Sequence, residues 1–246
     1  MKIIKIKNIN EIPFPTVTDK TLFEKPLFHG TRLRSIEISN QEREEYYKAC
    51  DKVIVFANET AKAMSKDDIN KYHDNHKGCY FGNVASMSYK TAKNFEYGDL
   101  YLTISFGIAA YRYAKNGGGE LGEIAYQDAL ALLDFNIPMN DEIKRNVDVV
   151  LEEHQRYLDS ECAVLIVIDA KLSDLLDIYG KKPENSKLSF YYTYKESENL
   201  AASISFRLLH HEDYQIYVLR EKDFTDGIKR FTGVKNINEY LAHLNR

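Results

Sequence analysis

The strongest constraint on the fold is the run Cys162-Ala163-Val164-Leu165-Ile166-Val167-Ile168-Asp169. It is apolar without alternation and rich in β-branched residues, and turn-forming sequence follows it. A stretch of this kind is a strand buried on both faces. With 246 residues, 44% of them hydrophobic, the chain has ample material for a proper core around it.

Other segments supply the remaining layers. Lys2-Ile3-Ile4-Lys5-Ile6-Lys7 alternates and reads as an edge strand guarded by lysines. Short strands are predicted at 26–29, 99–105, 189–194, 202–209 and 214–220. Ser39 and Glu42 have the spacing of a capping box, which opens a helix running to about residue 56. Further helices are predicted at 58–73, 108–114, 122–133, 141–158 and 236–244. Gly117-Gly118-Gly119 reads as a helix stop, because no Lys-Ser or Lys-Thr follows to make a phosphate loop. Residues 74–98 form a long connection of the sort that serves as a loop or lid. There is no internal repeat and no linker. The expected organisation is one α+β domain over 1–246, with a helical insert around 120–158.

Charge and cysteine usage narrow the class. The formal net charge of -4 argues against an extended nucleic-acid coat and leaves room for a local basic patch. Cys50, Cys79 and Cys162 match no metal spacing and leave one thiol over in any pairing, as in a reduced, intracellular protein. The start MKIIKIKN is too short and too charged for a signal-peptide core, and no stretch is apolar enough for a membrane span. The expected location is the cytoplasm, with no membrane partner. Adjacent His210 and His211 point opposite ways on extended chain, and His73 and His76 lack further ligands at metal spacing, so no metal is expected.

Three motifs carry candidate chemistry. Leu27-Phe28-His29-Gly30-Thr31 reads as a strand opening onto a pocket. Gly98-Asp99-Leu100-Tyr101-Leu102-Thr103 is an aromatic strand, followed by a helix containing Ala110-Tyr111-Arg112-Tyr113-Ala114. A late strand, Tyr214-Gln215-Ile216-Tyr217-Val218, is preceded by Glu212 and Asp213.

In this order the motifs resemble the ADP-ribosyltransferase family, in the His-Tyr-Glu branch of diphtheria-toxin-like toxins and poly(ADP-ribose) polymerases. The resemblance covers roughly 26–34, 97–114 and 160–224. It implies an ADP-ribosyltransferase-like split β-sheet core with helical insertions, and NAD+ as substrate. Catalysis would fall to His29, Tyr101 and Glu212, with Glu198 and Glu196 as rivals for the acid. His29 would hydrogen-bond a ribose hydroxyl, Tyr101 would stack on nicotinamide, and Gly30 would let the carboxamide approach the backbone. Thr31 and either Arg32 or Arg34 would lie where the adenosine side is held, and either Tyr111 or Tyr113 would form a second aromatic wall. The carboxylate would stabilise an oxocarbenium-like state as the nicotinamide–ribose bond breaks.

The first position is His29, and no Ser-Thr-Ser strand appears at the second, which disfavours the arginine-specific branch. The implied activity is mono-ADP-ribosyl transfer to a macromolecular acceptor, protein, RNA or DNA. The context is that of a toxin or phage-defence effector, with an antitoxin or inhibitor protein as a further partner. An RNA 2′-phosphotransferase and an inactive NAD+- or ADP-ribose-binding module are the alternatives.

Overall fold

In the computed structural model, the described residues are 2–13, 21–23, 25–76, 81, 100–115, 119–177, 205–234 and 236–244. The expected strand at 189–194, Glu196, Glu198, Cys79 and most of the 74–98 segment lie outside them. The chain divides into two compact units. One takes residues 1–31, 97–115 and 161–246, and the other takes 32–96 and 116–160.

The first unit is built on a mixed sheet. Its strands are β1 (Lys2–Lys5), β2 (Leu27–Arg32), β3 (Leu100–Thr103), β4 (Cys162–Val167), β5 (Leu175–Asp177), β6 (Ser205–Leu208) and β7 (Gln215–Arg220). Their order across the sheet is β1-β7-β4-β2-β3-β6-β5. All six residues of β4 are buried, as a strand without alternation requires. β4 pairs antiparallel with β7, and the lysine-guarded β1 runs parallel to β7 at the sheet edge. β3 pairs antiparallel with β6, and β6 with β5.

Short helices cover this sheet: α4 (Phe106–Tyr111), α7 (Phe224–Thr232) and α8 (Ile237–Leu244). Phe106 of α4 meets Phe28 edge-on at 5.4 Å and Phe231 of α7 at 5.4 Å. Val164, Ile166 and Leu219 complete that core. α4 starts earlier and stops sooner than the predicted 108–114 helix. Ser105 caps it by accepting from the Ile108 amide, and a 3-10 turn at Tyr113–Lys115 replaces its last turn.

The second unit is helical: α1 (Arg34–Glu37), α2 (Asn40–Ala63), α3 (Lys66–Asn75), α5 (Gly119–Asp134) and α6 (Asp141–Asp159). The capping box is present, with Ser39 accepting from the Glu42 amide and Glu42 reaching back to the Ser39 backbone. α2 then continues to Ala63, past the boundary expected near residue 56. Tyr46, Ala49, Cys50, Val53, Ile54, Ala57 and Ala61 keep one apolar stripe unbroken. The second helix starts only after Ser65, whose hydroxyl accepts from the Asp68 amide. The helical unit therefore draws on 32–76 as well as on the 120–158 segment. The apolar stripe of α2 needs partners, and α5 and α6 supply them through Ile124, Ala125, Leu132, Val147 and Val150.

The architecture is α+β. No helix among the described residues is long and apolar enough to cross a membrane.

Candidate active site

β2 and β3 are neighbours in the sheet, yet Phe28 and Thr103 are their single register pair among the described residues. Beyond that rung a side chain takes over from the backbone. His29 Nδ1 lies 2.7 Å from the Tyr101 carbonyl oxygen. A carbonyl only accepts, so Nδ1 donates, and in the neutral ring Nε2 is left as an acceptor. Burial lowers the His29 pKa below its ordinary value, and the bond to the Tyr101 carbonyl only partly opposes this. The imidazole is thereby kept neutral, with a fixed tautomer.

Gly30 has a packing reason within the fold itself. A Cβ there would lie 1.9 Å from the Ala109 carbonyl oxygen and 2.6 Å from the Ala114 amide nitrogen. The bare backbone of β2 is what lets α4 and its 3-10 extension seat against the strand. β2 also continues through Gly30 to Arg32 instead of ending at His29. Thr31 is buried.

The same contact separates the two candidate tyrosines. Tyr111 packs edge-on against Phe224 at 5.8 Å, and burial raises its pKa, with a hydrogen bond from Thr225 opposing in part. Its ring thus belongs to the α7 side of the core. Tyr113 is half-buried and immediately precedes Ala114, whose backbone abuts Gly30. The backbone of the turn that carries Tyr113 thus lies beside Gly30.

Arg32 and Arg34 hold the helical unit together. Arg32 Nη1 donates to the carbonyls of Leu158 at 3.1 Å and Ser160 at 2.9 Å. This puts a cation on the C-terminal end of α6, where exposed carbonyls and the helix dipole both favour it. Arg34 pairs with buried Glu153 at 2.6 Å and with Glu42 at 3.0 Å, and these partners raise its pKa. Each arginine thus has a structural task in the helical unit.

Beside them, His154 is 1% exposed and stacks on Tyr126 at 4.0 Å. Its Nε2 lies 3.5 Å from Glu123, and burial lowers its pKa.

Glu212 sits in the 3-10 turn His211–Asp213 between β6 and β7, with its side chain 58% exposed. Its ion-pair partners are its neighbours, His210 at 3.8 Å and His211 at 3.7 Å. A hydrogen bond from its own backbone is the main cause of its lowered pKa. The structure brings His29, Gly30, Tyr101 and the Tyr113 turn together, and it joins Glu212 to neither His29 nor Tyr101 by a hydrogen bond or ion pair.

A cleft of about 470 Å³ lies elsewhere in the sheet unit, lined by Leu22, Asp169, Lys171, Asp213, Tyr214 and Tyr217 among others. It contains neither His29 nor Tyr101. At its edge the Tyr214 hydroxyl donates to Asp174 at 2.7 Å and accepts from the Lys171 amide. No group of three or more His, Cys, Asp or Glu side chains among the described residues is arranged to hold a metal.

One residue that sequence reading passed over stands next to Tyr101. The β3–β6 register sets Tyr101 opposite Arg207, between the pairs Leu100–Leu208 and Leu102–Phe206. The four flanking side chains are buried, so Tyr101 and Arg207 share the opposite, half-open face. The alternation Phe206-Arg207-Leu208 carries that signal in the sequence. No family model, curated protein or solved structure matches the chain.

Proposed function

We propose that this protein cleaves NAD+ at the nicotinamide–ribose bond and transfers ADP-ribose to a macromolecular acceptor. The observation that carries the reading is the His29–Tyr101 link beyond a single β2–β3 rung. Beyond their one described rung the two strands meet through an imidazole whose Nε2 is left as an acceptor. The residue types there suit a dinucleotide whose nicotinamide ring stacks on Tyr101, with Tyr113 as the second wall.

In this mechanism His29 Nε2 accepts a hydrogen bond from a ribose hydroxyl and fixes the sugar. A carboxylate stabilises the positive charge that grows on the sugar as the glycosidic bond breaks. The bonding pair leaves with nicotinamide, which departs neutral. The acceptor's nucleophile then attacks the anomeric carbon and gives up a proton.

Motif order in the sequence favours Glu212 as the acid. Its exposure and its pairing with His210 and His211 favour Glu198 instead, since Glu198 precedes β6, the strand paired with Tyr101's strand. Glu198→Gln is therefore expected to lower NAD+ turnover at least ~100-fold, the scale of losing one transition-state electrostatic partner. Glu212→Gln should change it less than about threefold. The converse result would restore Glu212.

The test of the function itself is incubation with NAD+ labelled in its adenylate part, together with separated protein, RNA and DNA. Label in one fraction supports the reading and gives the acceptor class. NAD+ left intact in all three overturns it. The RNA 2′-phosphotransferase alternative draws no support, because Arg32 and Arg34 serve the helical unit.

The state of His29 gives a pH dependence with a definite sign. Protonation removes the Nε2 acceptor, so NAD+ affinity should hold at pH 7 and weaken only below the ordinary histidine value of 6.5, because burial lowers the pKa. Calorimetric titration between pH 7.5 and 5 measures this. A His29→Gln variant should be weak throughout and lack that pH dependence. A wild-type affinity that improves towards pH 5 would contradict the assigned tautomer.

A further inference from the structure

We infer that the cleft beside the end of β4 and the start of β7 binds a small basic zwitterion, a free amino acid of the arginine type. The inference is independent of the transferase reading, since the cleft contains neither His29 nor Tyr101. Its volume of about 470 Å³ lies within the range of small-molecule sites. Asp169, Lys171, Asp213, Gln215 and Tyr217 all line it. None of these side chains has a hydrogen-bond or ion-pair partner among the described residues.

Backbone bonds build the walls and leave those side chains to the cleft. The Phe23 amide donates to the Ala170 carbonyl at 2.8 Å, and the Leu172 amide to that of Thr21 at 2.9 Å, which seats Leu22 against Lys171. The Tyr214 hydroxyl ties Asp174 to the Lys171 amide. Gln215 and Tyr217 stand two apart on β7 and share a face. Tyr217 is the most buried of the set at 8% exposure, with Ile166 and Ile4 opposite it on the flanking strands. A hydroxyl at that burial calls for a partner, and a ligand in the cleft supplies one.

The charges choose the ligand. Asp169 and Asp213 bring two negative charges and Lys171 one positive, all exposed at the rim. Their mirror image is a molecule with two cationic groups and one carboxylate. A guanidinium has donors enough to serve two carboxylates at once, and the Lys171 ammonium takes the ligand's carboxylate. Leu22 and Ile168 offer apolar surface to its methylene stem. A nucleotide suits the cleft less, because its phosphates would meet two carboxylates against one ammonium.

Calorimetry on the full chain would use arginine, agmatine, which lacks the carboxylate, and citrulline, whose side chain is neutral. Arginine should bind, and each of the other two should bind about tenfold more weakly or worse. Lys171→Gln should lower arginine affinity to the agmatine level and leave agmatine within about twofold, because Lys171 serves the carboxylate alone. Asp213→Asn should weaken both ligands about tenfold. Tyr217→Phe keeps the ring in the core, so its circular-dichroism melt should match wild type while arginine affinity falls about fivefold.

Absence of saturable heat with arginine at millimolar concentration overturns the inference. Agmatine binding as tightly as arginine would make the cleft a plain cation site and overturn it too. Arginine affinity unchanged in both Lys171→Gln and Asp213→Asn would place the ligand elsewhere. Turnover of NAD+ by wild type is read separately, so each of these results leaves the transferase reading standing.

Discussion

Replacing Gly30 with alanine is expected to destabilise the sheet unit by about 3 kcal/mol or more and, on the proposed function, to abolish NAD+ turnover. The added methyl would stand 1.9 Å from the Ala109 carbonyl oxygen and 2.6 Å from the Ala114 nitrogen. Both are backbone atoms, so no rotamer change relieves the clash. Either β2 or α4 has to move, and α4 carries Phe106, which touches Phe28, Phe224 and Phe231 in the core. The same shift displaces the turn that bears Tyr113 and loosens the His29–Tyr101 link. Urea denaturation followed by far-ultraviolet dichroism, read beside NAD+ consumption, measures both effects. A Gly30→Ala protein with a wild-type midpoint would show that α4 does not seat against β2 in solution. Full turnover by such a protein would remove the Gly30 neighbourhood from the site.

Asp128 is expected to give the largest stabilising change. It lies on α5 at 1% exposure, and its Oδ1 has no hydrogen-bond partner among the described residues. Burial alone pushes its pKa up from 3.8 to about 8. The sign follows from proton counting. Between pH 3.8 and about 8 the unfolded carboxyl has lost its proton and the folded one keeps it, so stability falls as pH rises through that window. Below the window the acid costs the fold little, and above it the cost is constant. Asp128→Asn removes the ionisation, so it should stabilise the helical unit by about 2 kcal/mol at pH 7.5 and by little at pH 4. Paired urea titrations at the two pH values decide it. Loss of stability at both would mean that the carboxyl is paired in solution.

Local signals explain which parts were legible in the sequence. The uninterrupted run at Cys162–Val167 had one reading because only a doubly covered strand tolerates it. The Ser39–Glu42 capping box was equally plain, since its two bonds depend on residue type and spacing alone. Failures came where a distant partner decides. The apolar stripe of α2 carried the helix beyond the expected boundary, because α5 and α6 reward its continuation more than local propensity resists it.

The site divides in the same way. The sequence picked out His29 and Tyr101 in their own strands, and the hydrogen bond between them arose only from pairing β2 with β3. Arg32 looked like a ligand-facing cation because the helix end it caps lies far along the chain. Tyr111 ends α4 and packs on Phe224, whereas Tyr113 falls in the 3-10 turn after it, and a six-residue helix has too little amphipathic pattern to reveal where it stops.

The lone rung between β2 and β3 has a mechanical consequence. A sheet transmits cooperativity through its ladder, and here the ladder narrows to Phe28–Thr103 in the middle. On one side stand β1, β7, β4 and β2, and on the other β3, β6 and β5. Among the described residues the two leaves share one backbone rung, and the His29 imidazole, the packing of Phe106 on Phe28 and the Tyr214–Asp174 hydrogen bond tie them further. A molecule bound across the two leaves would add one more tie to those the core already makes, and would raise the cost of opening them separately.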